Sequence, residues 1–146
     1  MSGDLRTAVV LVDHGSRRAA SNDQLAVAAD VFRRETDWEI VEPAHMELAE
    51  PSIADAIDAC AQAGAERVVV FPWFLAPGRH WHEDIPRLVA EAAAKHKDLQ
   101  TIVTAPFGVD PLLASLADKR ITDCLAAATS DADCAICGDP ERCQLP

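Results

Sequence analysis

The sequence predicts a three-layer α/β fold, a flavodoxin-like parallel sheet of about four strands with helices on both faces. Three observations predict it. Apolar, β-branched runs alternate with segments of helical period. The connections are short, and parallel strands joined in this way need right-handed helical crossovers. Two of the apolar runs, 8–12 and 68–71, lead directly into histidine-bearing motifs, which places both motifs at the same edge of such a sheet.

Each element has its own warrant. Residues 7–12 are too uniformly apolar for a half-wet strand and suit a buried parallel one. Over 21–35, Leu25, Ala28 and Phe32 recur at helical spacing. Residues 38–41 are a short strand candidate. Pro51 is expected to open the next helix, since proline is tolerated in a first turn. That helix has Ile53, Ala56, Ile57 and Cys60 on one face and Gly64 to stop it. Residues 67–71 form the second strong strand. The segment 72–82 is rich in Pro, Gly, Trp and His and is expected to be an extended loop. Asp84 is the expected N-cap of a helix with Ile85, Leu88, Val89 and Ala92 on one face. Residues 99–105 supply a fourth strand. Asp110-Pro111 starts a last helix to about 128, with Leu113, Leu116, Ala117, Ile121 and Cys124 in one stripe. The pattern breaks there. We expect an α/β domain over 1–128 and a cysteine-rich tail over 129–146.

A chain of 146 residues is long enough to bury roughly two thirds of its unfolded surface without staples. The formal charge of −11 argues against nucleic acid and anionic membranes as partners, because both demand a cationic face. No run approaches the ~18 apolar residues of a membrane span, and the first residues lack a signal-like apolar stretch. A cytoplasmic location is expected, with the five cysteines as thiols or metal ligands.

In a flavodoxin-like order the first and third strands are neighbours, ~4.8 Å apart. His14, in Asp13-His14-Gly15-Ser16-Arg17, and His80, in Gly78-Arg79-His80-Trp81-His82-Glu83-Asp84-Ile85-Pro86, would then converge where open α/β sheets bind ligands. Imidazole binds divalent Fe, Co, Ni, Cu and Zn and also accepts protons near neutral pH. His82, two residues on in an extended loop, would point away from His80. Glu47 follows the second strand and reaches the same edge, with His45 beside it. His96, between two lysines, reads as surface. Arg17, Arg18 and Arg79 flank the histidines and suit an anionic ligand, because guanidinium pairs carboxylates bidentately. Trp73, Phe74 and Trp81 suit a flat apolar ligand or a protein interface. A histidine phosphatase would need Arg before the His-Gly pair, where this chain has Asp13.

These motifs resemble the small class II chelatases, the sirohydrochlorin chelatase family of the CbiX/SirB type. The resemblance rests on Asp13-His14-Gly15-Ser16-Arg17, on Glu47-Leu48-Ala49-Glu50-Pro51-Ser52-Ile53, and above all on Pro72-Trp73-Phe74-Leu75-Ala76-Pro77-Gly78-Arg79-His80 running on to Asp84-Ile85-Pro86. Phe107-Gly108-Val109-Asp110-Pro111 is similar to the family's later Gly-x-x-Pro turn. It covers roughly 7–125. It implies insertion of Co2+ or Fe2+ into a sirohydrochlorin-type tetrapyrrole, in cobalamin or sirohaem biosynthesis. His14 and His80 would bind metal and, with Glu47, take pyrrole protons. Arg17, Arg79 and Trp81 would hold the macrocycle, and a homodimer is implied. His45 is a departure, standing where the family pattern has an aromatic or aliphatic residue.

The tail carries Cys134-Ala135-Ile136-Cys137 and Cys143, with Cys124 upstream. Clustered thiolates suit zinc or an iron–sulfur cluster, and some relatives of the resembled family carry such an extension. The competing reading is a non-enzymatic metal-binding or delivery protein. It leaves the Trp-rich loop and the arginines without a task.

Overall fold

The computed structural model describes residues 4–128. Its four strands are β1 (Thr7–Asp13), β2 (Ile40–His45), β3 (Arg67–Pro72) and β4 (Gln100–Val103). They form one parallel sheet in the order β2-β1-β3-β4. The expected adjacency of β1 and β3 is therefore present, with Val12 opposite Pro72.

Side chains alternate across a strand, and that alternation sorts β1 between two cores. Ala8, Val10 and Val12 face helices α2 (Ile53–Gln62) and α3 (Ile85–Ala93), where Ile57, Cys60, Ile85 and Val89 are buried. Val9 and Leu11 face α1 (Ala19–Glu35), which buries Leu25 and Ala29. Both faces of β1 are covered, which explains its unbroken apolar run.

α2 buries Ile53, Ala56, Ile57 and Cys60, the four residues its period marks out. Its start differs from expectation. Pro51 lies outside the helix because its carbonyl accepts the His45 N–H at 2.8 Å. Ser52 is the N-cap instead, in a reciprocal capping box with Asp55. Hydrogen bonds from the Ser52 backbone and side chain hold the Asp55 carboxyl below its usual range.

Asp84 is not an N-cap either. The chain is already helical before α3, through a π-helical turn at His80–Asp84. The segment expected to be extended is therefore partly coiled. α4 (Pro111–Ala128) belongs to a second compact unit that begins at Val109. No helix among the described residues is long and apolar enough to cross a membrane.

Candidate active site

The site is built where β1 and β3 end. Beyond β1 the chain turns sharply. Asp13 Oδ1 accepts the Gly15 N–H at 2.9 Å, and Gly15 has a left-handed φ of +83°. A Cβ there would lie 1.8 Å from the Glu47 carbonyl oxygen, so only glycine lets the two loops approach this closely. The β1–β2 pairing continues beyond the strands: Met46 N–H donates to Asp13 O at 2.9 Å and Glu47 N–H to His14 O at 3.1 Å. Leu48, next to Glu47, holds a φ of +67°, a strained backbone for leucine and one that clusters at functional sites.

Beyond β3, Trp73 N–H donates to Val12 O at 2.7 Å. The rings of Phe71, Trp73 and Phe107 meet edge to face and stiffen the base of the loop. Phe74 stacks against the His14 imidazole with ring centroids 4.5 Å apart. His80 opens the π-helical turn, closed by Ile85 N–H to His80 O. Such turns are rare and recur at functional sites.

Within that turn His80 Nδ1 lies 2.7 Å from Asp84 Oδ2. A carboxylate only accepts, so Nδ1 carries the proton, and in the neutral ring Nε2 then has its lone pair free for a metal or a proton. Trp81 Nε1 donates to Thr104 O at 2.7 Å and straps the turn to the chain just beyond β4.

The two imidazoles meet edge to face, with centroids 4.4 Å apart. They line a cavity of about 310 Å3 together with Phe74, Leu75 and Trp81. The walls are mostly apolar, which suits a flat ring. Leu75 on its rim is 71% exposed.

The remaining predicted residues are placed less uniformly. Glu47 is exposed and tied to His14 through its backbone. It does not join the histidines in a cluster, for no group of three metal-ligating side chains occurs among the described residues. Arg17 and Arg18 are exposed beside His14. Arg79 donates from Nε to Glu83 at 3.2 Å. His82 lies exposed with its ring against Trp81, on a helical turn and not in an extended loop. His96 contacts Asp58 at 2.6 Å, between α2 and the chain after α3. Cys124 is half-buried on α4. Cys134, Cys137 and Cys143 lie outside the described residues.

Three features are missing from the sequence reading. The Asp84 partner of His80 could have been found from its i,i+4 spacing in a helical segment. The Phe74 stack and the burial of His45 carry no local signal.

Residues 8–124 match the CbiX family. The chain belongs to the CbiX family. It is 50% identical over 138 residues to the sirohydrochlorin ferrochelatase, chloroplastic, of Arabidopsis thaliana, covering 94% of this chain and 61% of that protein. It is 33% identical to the sirohydrochlorin cobaltochelatase of Methanopyrus kandleri, covering 81% of this chain and 96% of that one. Among solved structures, SirB from Bacillus subtilis with Fe3+ superposes with a TM-score of 0.74 at 26% identity, over 80% of this chain and 46% of that one. This CbiX-family chain thus spans less than two thirds of the chloroplastic relative and about half of the SirB chain.

Two imidazoles at an open cavity can hold a divalent cation through their nitrogen lone pairs while leaving its other positions free. Structural metal sites are closed by four protein ligands, and sites that do chemistry keep a position open. A two-histidine site suits a metal that must be handed on.

Proposed function

We propose that this chain inserts divalent Co2+ or Fe2+ into a sirohydrochlorin-type tetrapyrrole, as a chelatase of cobalamin or sirohaem biosynthesis. The observation that carries the reading is the His14–His80 ring pair, with centroids 4.4 Å apart, on an open cavity walled by Phe74, Leu75 and Trp81. The names of the relatives agree with it. A delivery protein would need neither the apolar wall nor the arginines.

The chemistry needs three acts. The metal must be held and lose water, two pyrrole N–H protons must leave, and the macrocycle must lie flat. His80, oriented by Asp84, holds the metal through Nε2. His14 binds beside it and, once the metal has passed to the macrocycle, its freed nitrogen accepts one pyrrole proton, with Glu47 in the adjoining loop as the acceptor of the other. The cation enters as two protons depart, so the macrocycle core keeps its charge. Arg17 and Arg79 pair substrate carboxylates, the latter after release from Glu83, and Trp81 lies against the ring.

A cavity of about 310 Å3 covers only part of such a macrocycle. A second copy of the chain would supply the facing wall, and a homodimer by gel filtration is the expected result. The cysteines Cys124, Cys134, Cys137 and Cys143 are proposed to hold an iron–sulfur cluster or zinc. Protein purified without oxygen should then carry iron or zinc, lost in Cys137→Ser. Ferrous iron and free thiols need a reducing compartment, such as the cytoplasm or the interior of a plastid.

The test mixes purified protein, sirohydrochlorin and Co2+ or Fe2+ without oxygen and follows the macrocycle's visible absorbance. His14→Ala and His80→Ala should each slow insertion by roughly 10²–10⁴-fold, the scale of acid–base groups. A wild-type rate equal to the spontaneous one overturns the reading.

A further inference from the structure

Among the described residues one polar side chain is buried, His45, 3% exposed at the end of β2. An apolar side chain could fill that place without a hydrogen-bonding requirement, and an imidazole there must find a partner. It finds Asp13, whose Oδ1 lies 2.6 Å from His45 Nδ1. The same oxygen accepts the Gly15 N–H at 2.9 Å. The residues on either side of His14 are thus tied to one oxygen, and that oxygen is tied to His45.

His45 has little freedom to follow the turn if it moves. Its N–H donates to Pro51 O at 2.8 Å, and its ladder partner across β1 is Asp13 itself. It lies directly beneath the turn, since a Cβ on Gly15 would fall 3.2 Å from the His45 Cβ. The two metal-site histidines are therefore fixed in different ways. His80 is held through its own ring by Asp84. The His14 ring packs against the rings of Phe74 and His80, and its backbone carbonyl accepts the Glu47 N–H.

We propose that His45 is a positioning residue. Acting through Asp13, it clamps the backbone on both sides of His14 and so sets the distance between the two imidazoles that receive a divalent cation. The same turn abuts the Glu47 carbonyl, so the clamp also fixes Glu47 relative to His14. This inference rests on the chelatase reading of the His14–His80 pair.

The test is a Co2+ titration of the purified full chain, read by calorimetry and by the visible absorption of bound Co2+, beside a thermal melt. His45→Leu removes the donor and should weaken Co2+ binding by about 10–100-fold, the usual cost of losing a residue that orients a ligand. His45→Asn keeps an N–H near the place of Nδ1 and should restore most of the affinity and the wild-type spectrum. Val41→Ala, a cavity in the same strand facing α1, should lower the melting temperature and leave Co2+ binding unchanged. If His45→Leu does not fold, His45→Gln replaces it, because its amide sits one methylene too far. Co2+ binding unchanged in His45→Leu or His45→Gln overturns the proposal, as does Val41→Ala weakening it equally. Wild-type protein that binds no Co2+ overturns the chelatase reading as well.

Discussion

A single hydrogen atom decides the geometry at Gly15. A Cβ there would meet the Glu47 carbonyl oxygen at 1.8 Å, and the φ of +83° is strained for any L side chain. Gly15→Ala must push the Glu47 loop away, and with it the backbone that carries His14. Stability should fall by about 1–3 kcal/mol, the usual cost of one such backbone strain. Insertion should slow more than stability alone explains, since a misplacement of about 1 Å costs on the order of 10²-fold. A melt and kcat/KM on the same sample check this, and a wild-type rate would refute it. Asp84 makes a different demand. Its carboxylate fixes the tautomer of His80, so Asp84→Ala should weaken Co2+ binding by about 10–100-fold. The His80–Asp84 pair is partly exposed, and such pairs contribute only about 0–1 kcal/mol, so the melting temperature should change little. A Co2+ titration beside a melt separates the two effects.

At the scale of elements, the legible parts of the chain were those governed by periodicity. Ile53, Ala56, Ile57 and Cys60 repeat at 3.6-residue spacing, and all four are buried on α2. The apolar run of β1 announced a strand covered on both faces, and it is. The convergence of His14 and His80 followed from strand order alone. The missed features depend on partners distant in sequence or on a non-standard turn. Pro51 reads as a helix start until its carbonyl is seen to pair with His45. His45 reads as a loop residue, and only Asp13, 32 residues earlier, explains its burial. The Pro- and Gly-rich segment coils at His80–Asp84 because Asp84 meets His80 and Thr104 meets the Trp81 indole. No hydrophobic period reports such bonds. α2 also carries a pH signature. Burial, with the Glu42 charge as a lesser cause, pushes the Cys60 thiol from 9.0 up to about 12. The thiol stays neutral in the folded protein while the unfolded chain ionises from about pH 8.5–9. Stability is fully present below that pH and is lost as pH rises toward 12, at up to about 1.4 kcal/mol per unit. Urea unfolding between pH 8 and 10.5 should show this slope, and Cys60→Ala should flatten it.

The whole molecule carries a formal charge of −11, while its proposed substrates have opposite signs. A divalent cation is drawn by that field and a polycarboxylate macrocycle is repelled by it. Near the site, guanidinium groups stand among the carboxylates: Arg17 and Arg18 are exposed beside His14, and Arg79 precedes His80. Screening decides which effect wins. The Debye length is about 30 Å at 0.01 M salt and about 10 Å at 0.1 M. At low salt the macrocycle is exposed to the net charge of the whole protein. Near 0.1 M it responds mainly to charges within about 10 Å of its path, where the arginines can pair its carboxylates directly. The kcat/KM for the tetrapyrrole should therefore rise from 0.01 to about 0.1 M salt and fall at higher salt, as the arginine contacts are screened in turn. For Co2+ it should fall throughout. Arg17→Ser should lower the maximum for the macrocycle and leave the Co2+ curve nearly unchanged. Rates measured across NaCl at fixed pH test all three statements. A macrocycle curve that only falls would mean that local guanidinium groups outweigh the net charge at every distance, and a flat one would remove electrostatics from substrate capture.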